Sequence, residues 1–220
     1  MDTTPLRPPQ PLYIEVAELL RQRIYRRELQ PGSWVDELKM AEEFGISRTP
    51  LREALKVLAA EGLITMKVRR GAYVTEVSEK DLRDVYHLLA LLESDAAASV
   101  ATHASATQLQ SLSQLHADLL QARDDASRFF AINEQFHLQL LDCCGNRFLL
   151  QAVQDLRKVM KLHRQQSLFR QGRIEDSLQE HAAIMQALLS RNADSARAAM
   201  QRHFTQGLTA ARPTASPELS

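Results

Sequence analysis

The chain has 220 residues, of which 45% are hydrophobic and 25% charged, ordinary proportions for one large or two small globular domains. Its 27 Lys and Arg residues balance 27 Asp and Glu residues, so net charge favours neither nucleic acid nor a membrane surface as partner. The sequence contains no apolar run near the roughly 18 residues of a membrane span, no secretion signal, and only two cysteines, the adjacent Cys143 and Cys144. These features predict a reduced, cytoplasmic protein without membrane association.

The first third of the sequence predicts three helices. Residues 1–11 are polar and rich in proline and are expected to form a flexible tail. Apolar residues recur at helical spacing from 12 to about 27, before a Pro-Gly break. Asp36 is a favourable N-cap for a short second helix that ends at Gly45. A third helix follows over about 47–62, with Ser or Thr as cap and proline in its first turn.

A hairpin completes the first predicted domain. Residues 63–66 and 72–75 are predicted to form two short strands, joined by a turn that contains two arginines and a glycine. Three helices followed by a hairpin are typical of a winged helix-turn-helix. We therefore assign residues 12–77 to such a domain.

The pattern beyond residue 77 is helical almost throughout, and it predicts an all-α bundle over 78–210 followed by a disordered tail over 211–220. The fold class is thus mainly α, with an N-terminal winged helix-turn-helix domain and a C-terminal helical bundle. The predicted helices of the bundle cover residues 79–103, 107–122, 126–143, 147–169, 175–191 and 194–209.

The second and third helices, with a turn of about four residues between them, have the spacing of a DNA-binding helix-turn-helix. Arg48 and Arg52 lie four residues apart and project from nearly one face, where each guanidinium can pair with a guanine edge. Six basic and two acidic residues lie between positions 47 and 71, although such a cluster can also be ordinary solvated surface. The candidate DNA-binding residues are Ser47, Arg48, Thr49, Arg52, Arg69, Arg70 and Gly71.

A second set of residues has metal-ligating chemistry. Asn133 and His137 are spaced i,i+4 and share one helix face, while His181 and His203 lie on later helices. If these helices surround one cavity, three imidazoles and an amide oxygen could hold Zn, Ni, Cu or Fe. The alternative is three buried, hydrogen-bonded histidines. Since a ligating imidazole must be neutral, metal binding is expected to weaken below about pH 6.

The N-terminal motifs resemble those of the GntR family of bacterial transcription regulators. The resemblance implies base contacts by Arg48 and Arg52, phosphate contacts by Ser47 and Thr49, and a minor-groove wing at Arg70-Gly71. One departure is Leu38, at a position where related regulators often have a basic residue. The motifs that carry the resemblance are residues 29–32, 45–55, 61–63 and 70–74.

The C-terminal half resembles the helical ligand-binding domain of the FadR subfamily of GntR regulators, through segments around residues 92–101, 133–137, 145–146, 180–184 and 198–204. The resemblance implies a metal at Asn133, His137, His181 and His203, and an effector, expected to be a carboxylate, at its open positions. Zinc is the first expectation, with nickel or manganese as alternatives. Leu89 replaces an arginine of many relatives, which leaves Arg157 or Arg164 as candidate effector-binding residues.

These features predict a homodimeric, non-enzymatic regulator that binds a double-stranded DNA operator and responds to a small-molecule effector. One alternative is a metal sensor, in which the ion itself is the signal. Another is a metalloenzyme that uses the histidine cluster. Against the enzyme, no carboxylate base lies at a suitable sequence spacing from the histidines, and no nucleophile motif is present.

Overall fold

A computed structural model describes residues 11–168 and 170–211. Within this described part the fold is mainly α, with nine helices and one two-stranded antiparallel sheet. The chain divides into two compact units between Glu76 and Val77. The predicted tails over 1–11 and 211–220 lie outside the described residues, apart from Pro11 and Ala211.

The first unit contains three helices and a hairpin, because apolar residues at helical spacing in α1 and α3 pack against each other. Its elements are α1 (Leu12–Tyr25), α2 (Glu37–Phe44), α3 (Arg48–Ala60), β1 (Ile64–Lys67) and β2 (Gly71–Val74). Its buried core includes Val16, Leu20, Ile24, Leu51, Leu55, Leu58 and Leu63.

Both ends of α2 are fixed by local chemistry. The Asp36 carboxylate accepts hydrogen bonds from the amides of Leu38 at 3.0 Å and Lys39 at 3.1 Å, which satisfies two free donors of the first turn. Gly45 ends the helix with a φ of 65°, a left-handed conformation that glycine adopts without a Cβ clash. The short turn that follows sets the direction of α3.

The hairpin differs by one residue from the predicted strands 63–66 and 72–75. Its pairing runs from Ile64 opposite Val74 to Lys67 opposite Gly71, because Leu63 belongs to the buried core that precedes the strand. Arg69 closes the tip with a φ of 60°. Gly71 has a φ of 91°, and a Cβ there would lie 3.0 Å from the indole nitrogen of Trp34, so this glycine is needed for local packing.

The second unit is an all-helical bundle in which α4 packs against α6, α7, α8 and α9. Its helices are α4 (Glu79–His103), α5 (Ala106–Gln121), α6 (Ala126–Cys144), α7 (Arg147–Ser167), α8 (Arg173–Leu189) and α9 (Ala193–Ala211). The fully buried side chains Leu89, Leu112, Phe136, Leu140 and Ile184 belong to its main core.

Several helix boundaries differ from the predicted ones. α1 ends at Tyr25 rather than near residue 27, since Arg27 has a φ of 58°. α8 begins at residue 173 rather than 175, directly after Gly172 with a φ of 78°. The earlier start places Arg173 on the first turn of α8, where it becomes buried.

Candidate functional sites

The start of α3 presents an open polar surface. Ser47, Arg48 and Thr49 are all exposed, and Ser47 occupies the N-cap position without using its hydroxyl as a cap. The first amides of α3 and these hydroxyls therefore remain available to an anion such as a DNA phosphate. This is the end of the helix that a helix-turn-helix protein inserts into the major groove.

The two arginines of α3 have different surroundings. Arg48 makes no hydrogen bond or ion pair with any residue that the structure describes. Arg52 donates from Nε to the Glu37 carboxylate at 2.7 Å, and its side chain is 59% exposed. Sequence analysis did not identify Glu37, because nothing in its spacing shows that α2 and α3 bring it to Arg52.

The wing adds further basic groups next to α3. An open groove of about 650 Å³ lies between them, and Arg69 and Gly71 are among its lining residues. Arg70 is exposed, and Val68 at the wing tip is 89% exposed. The groove also contains two lysines, Lys56 and Lys67, that the sequence analysis counted as basic residues but did not place in the site.

The predicted metal ligands come together inside the helical bundle. Asn133 and His137 lie on α6, His181 on α8 and His203 on α9, and all four are buried. The candidate ligand nitrogens of the three histidines all lie within 4.8 Å of one another. The structure thus places the three imidazoles around one point, with Asn133 one helical turn from His137.

Two buried carboxylates fix the orientation of two of these rings. The Nδ1 atom of His137 lies 2.6 Å from Glu93, and the Nδ1 atom of His203 lies 2.6 Å from Glu180. A carboxylate that accepts from Nδ1 leaves Nε2 as the free electron-pair donor, the usual arrangement around a ligating histidine. The sequence analysis found no carboxylate base at a suitable sequence spacing from the histidines; in the structure α4 supplies Glu93, 44 residues from His137, and α8 supplies Glu180, 23 residues from His203.

The cluster also contains buried polar atoms without a protein partner. These atoms are Asn133 Oδ1, His137 Nε2, His181 Nδ1 and His181 Nε2. Each buried polar atom left without a hydrogen bond costs about 1–3 kcal/mol, so a group that binds Asn133 Oδ1, His137 Nε2 and one nitrogen of His181 is favoured. Three imidazole nitrogens and one amide oxygen suit a divalent transition metal, and the residues present therefore fit such an ion.

Burial changes the ionisation of the cluster. It lowers the pKa of His137 well below 6.5, and the positive charge of Arg157 acts in the same direction. Burial and the neighbouring His203 lower the pKa of His181 well below 6.5 as well. For His203, burial lowers the pKa even though Glu180 opposes it. All three rings are therefore neutral at pH 7, as a metal ligand must be.

Arg157 and Arg164, the predicted effector-binding residues, are both buried and already paired. Arg157 donates to Glu93 and, at 2.9 Å, to Glu134. Arg164 contacts Glu134 as an ion pair, although its Nη1 lacks the geometry of a hydrogen bond. An effector carboxylate would therefore have to compete with an internal carboxylate for either guanidinium.

Arg173 is a third buried arginine, which the sequence analysis missed. It forms a two-pronged pair with Glu180, the carboxylate that also holds His203. With Asn133, Arg164 and His203 it lines a cavity of about 30 Å³, which has room for about one or two water molecules. Any effector in this cavity would have to be small or would have to displace side chains.

Comparison with known proteins identifies both units. Residues 12–74 match the family of bacterial regulatory proteins called gntR, and residues 84–206 match the FCD domain. The chain belongs to the GntR family. It is a DNA-binding transcription regulator with a C-terminal FCD domain, and its relatives are regulators rather than enzymes.

Curated relatives match this regulator over nearly its whole length. It is 28% identical over 205 residues to the HTH-type transcriptional repressor RspR of Escherichia coli, which covers 92% of this chain and 90% of the relative. It is 29% identical over 213 residues to the Uxu operon regulator of Haemophilus influenzae, in an alignment that covers 87% of this chain and 79% of the relative.

Solved structures share the fold of this regulator. One is described as Lar, which controls expression of the Listeria monocytogenes agr system. Its TM-score is 0.70 at 22% identity, and the match covers 92% of this chain and 97% of that chain. Another is E. coli McbR/YncC, with a TM-score of 0.67 at 22% identity, and the match covers 90% of this chain and 95% of that chain. At this identity the likeness extends to the fold alone.

Other features of the regulator have ordinary surroundings. His87 and His103 are exposed, while His116 is half-buried and its pKa is lowered by burial. Cys143 is buried and accepts a weak hydrogen bond from Gln139 at 3.5 Å. Across the described parts of the chain, the structure contains no helix with the length and hydropathy needed to cross a membrane.

Proposed function

We propose that this GntR regulator binds its operator as a homodimer and that its FCD domain holds a divalent transition metal and a small carboxylate effector. The observation that carries the proposal is the convergence of His137, His181 and His203, whose ligand nitrogens lie within 4.8 Å of one another. Asn133 is proposed as the fourth ligand. We also place the regulator in the FadR subfamily, with which the chemistry of the site agrees. Because operator DNA lies in the bacterial cytoplasm, the regulator would act there.

A bound ion would supply open coordination positions for an anion, and zinc is the first candidate, followed by nickel and manganese. The site's own residues would orient and position the ligands. Glu93 and Glu180 hold two imidazoles with Nε2 free, which typically strengthens metal binding by 10- to 100-fold. Because His137, His181 and His203 are neutral, the positive charge of an ion would favour an anionic effector.

A second candidate is a metal sensor, in which the ion itself shifts operator binding. It is favoured by the pairing of Arg157, Arg164 and Arg173 with glutamates and by the small cavity of about 30 Å³ beside the ligands. In either case the bound species must prefer one arrangement of the regulator, since equal affinity for both shifts nothing.

The first experiment separates these candidates. Regulator purified without a histidine tag is analysed for metal, and its operator binding is then titrated with acetate, malonate and citrate, with and without chelator. We expect about one metal per chain and a carboxylate response that disappears on chelation. If chelation alone alters operator binding, the sensor is correct. Protein that lacks metal and refuses Zn, Ni and Mn would contradict both.

We also propose that the DNA-reading residues act in pairs across a dimer. Arg48 and Arg52 of one reading head contact too few bases to define a unique operator, whereas two heads related by a two-fold axis read two half-sites. We expect light scattering to give twice the chain mass of 24.9 kDa for the free regulator, and the same protein mass on DNA once the mass of the duplex is subtracted. A monomer under both conditions would contradict the homodimer.

A further inference from the structure

The two proposed base-reading arginines differ in how firmly they are held. Arg48 has no partner among the residues that the structure describes, so its guanidinium must be ordered when DNA binds. Arg52 is already ordered by the contact of its Nε with Glu37 at 2.7 Å. The Nη groups of Arg52 have no partner within residues 11–168 and 170–211 and therefore remain available.

Glu37 is itself well anchored. It is the first residue of α2, next to the Asp36 cap, and its side chain is only 20% exposed. A carboxylate is favoured at the positive end of a helix, so the first turn of α2 stabilises this position of the charge. The ion pair thus joins a fixed carboxylate on the bracing helix to an arginine on the reading helix.

The atoms used in the contact between Arg52 and Glu37 determine which donors of Arg52 remain free to bind a base. A guanidinium has five donors in a rigid plane, and Glu37 takes the one on Nε. The two Nη groups at the far end form the fork that pairs with O6 and N7 of guanine. Glu37 therefore leaves free the pair of donors that a guanine edge requires.

The charge of Glu37 has a second effect. A carboxylate at the DNA-facing surface repels phosphates, and its contact with Arg52 opposes the use of this arginine as a general phosphate contact. An arginine released from Glu37 could turn to the nearest phosphate on any sequence. Glu37 would thus lower affinity for unrelated DNA while sharpening the choice of base.

We infer that Glu37 is a positioning residue for specificity. Its contact with Arg52 orients the two Nη groups of this arginine toward one guanine and prevents Arg52 from binding phosphates. The inference rests on the proposed role of Arg52 in base reading. In this role Glu37 acts through Arg52, whose Nε donates to its Oε2 atom.

The test first selects an operator from random duplexes with the wild-type regulator, and then substitutes each guanine of that operator in turn. We expect E37A to lose about tenfold in discrimination at the guanine that R52A identifies, and to gain about threefold in affinity for unrelated duplex. The slope of log affinity against log salt should steepen by about 0.9, the value of one new phosphate contact.

Two further variants separate orientation from charge. E37D keeps the charge but shortens the side chain by one methylene, so discrimination should fall without the gain on unrelated DNA. E53A is the matched control, because the Glu53 carboxylate lines the same groove but pairs with Lys56, whereas the Arg52 side chain pairs with Glu37. E53A should raise general affinity yet keep full discrimination.

Each outcome decides the inference. Discrimination by E37A and E37D equal to that of wild type, with R52A defective, would overturn the role of Glu37 and leave base reading by Arg52 intact. An equal loss in E53A would also overturn it, since only charge would then matter. If R52A discriminates normally, the proposed role of Arg52 fails and the inference fails with it. Circular dichroism of each variant checks folding.

Discussion

Alanine at both Arg48 and Arg52 is expected to remove most of the preference of the regulator for its operator over unrelated DNA. Each bidentate arginine–guanine pair contributes about 1–3 kcal/mol of discrimination, so the loss of two pairs is about 30-fold to 25,000-fold for each reading head. Both side chains are exposed, and their removal leaves no cavity. Folding and dimerisation should therefore be unchanged.

Mobility shifts with operator and unrelated duplex at one fixed salt concentration measure this loss, because affinities at different salt are not comparable. The matched control replaces Arg69 and Arg70 of the wing, which removes the same charge from the same domain. That variant should weaken binding to both duplexes by a similar factor. Operator discrimination that is equal in the Arg48, Arg52 variant and the wild type would contradict base reading by these residues.

The winged helix-turn-helix could be predicted because its signals are local. Asp36 and Gly45 bound α2 by cap chemistry that depends only on neighbouring residues. The strand positions were predicted one residue away, because burial of Leu63 depends on the packed core and not on the hairpin's own pattern. The ion pair of Arg52 with Glu37 depends on the angle at which α2 and α3 cross, and this angle could not be predicted from the local sequence pattern.

The histidine cluster shows the same limit. The i,i+4 spacing of Asn133 and His137 predicts a shared face, and that face points into the bundle. The carboxylate partner of His137 lies 44 residues away in the sequence, so no short motif could reveal Glu93. The expected weakening of metal binding below about pH 6 rests on an ordinary histidine pKa, whereas burial and Arg157 lower the pKa of His137.

The substitution His181→Leu is expected to weaken metal binding but to stabilise the metal-free protein. Both ring nitrogens of His181 are buried without a protein partner, and the ring packs against Phe136 with centroids 4.7 Å apart. Leucine removes the unpaired nitrogens and still fills the space, so the metal-free protein should gain about 1–3 kcal/mol. Metal affinity should fall by more than the roughly 10- to 100-fold that is typical of losing a residue that only supports a ligand, because one of three imidazole ligands is itself lost.

This gain in stability should grow as the pH falls. Burial lowers the pKa of His181 in the folded state, while the unfolded chain has an ordinary value of about 6.5. Below that value the unfolded state binds a proton that the folded state excludes, so the wild type loses up to about 1.4 kcal/mol per pH unit through this residue. His181→Leu lacks the group and should lose correspondingly less between pH 6.5 and 5.5.

Chemical unfolding in the presence of chelator at pH 7.5, 6.5 and 5.5 measures the stability of both proteins, and competition with a chromophoric chelator measures their metal affinity. His87→Ala is the control, because it removes an exposed imidazole from α4 and should change neither quantity. A His181→Leu protein that binds metal like the wild type would remove His181 from the ligand set. A variant less stable than the metal-free wild type at every pH would show that the ring is required for packing, because the loss of its contacts would then outweigh the removal of two unpaired nitrogens.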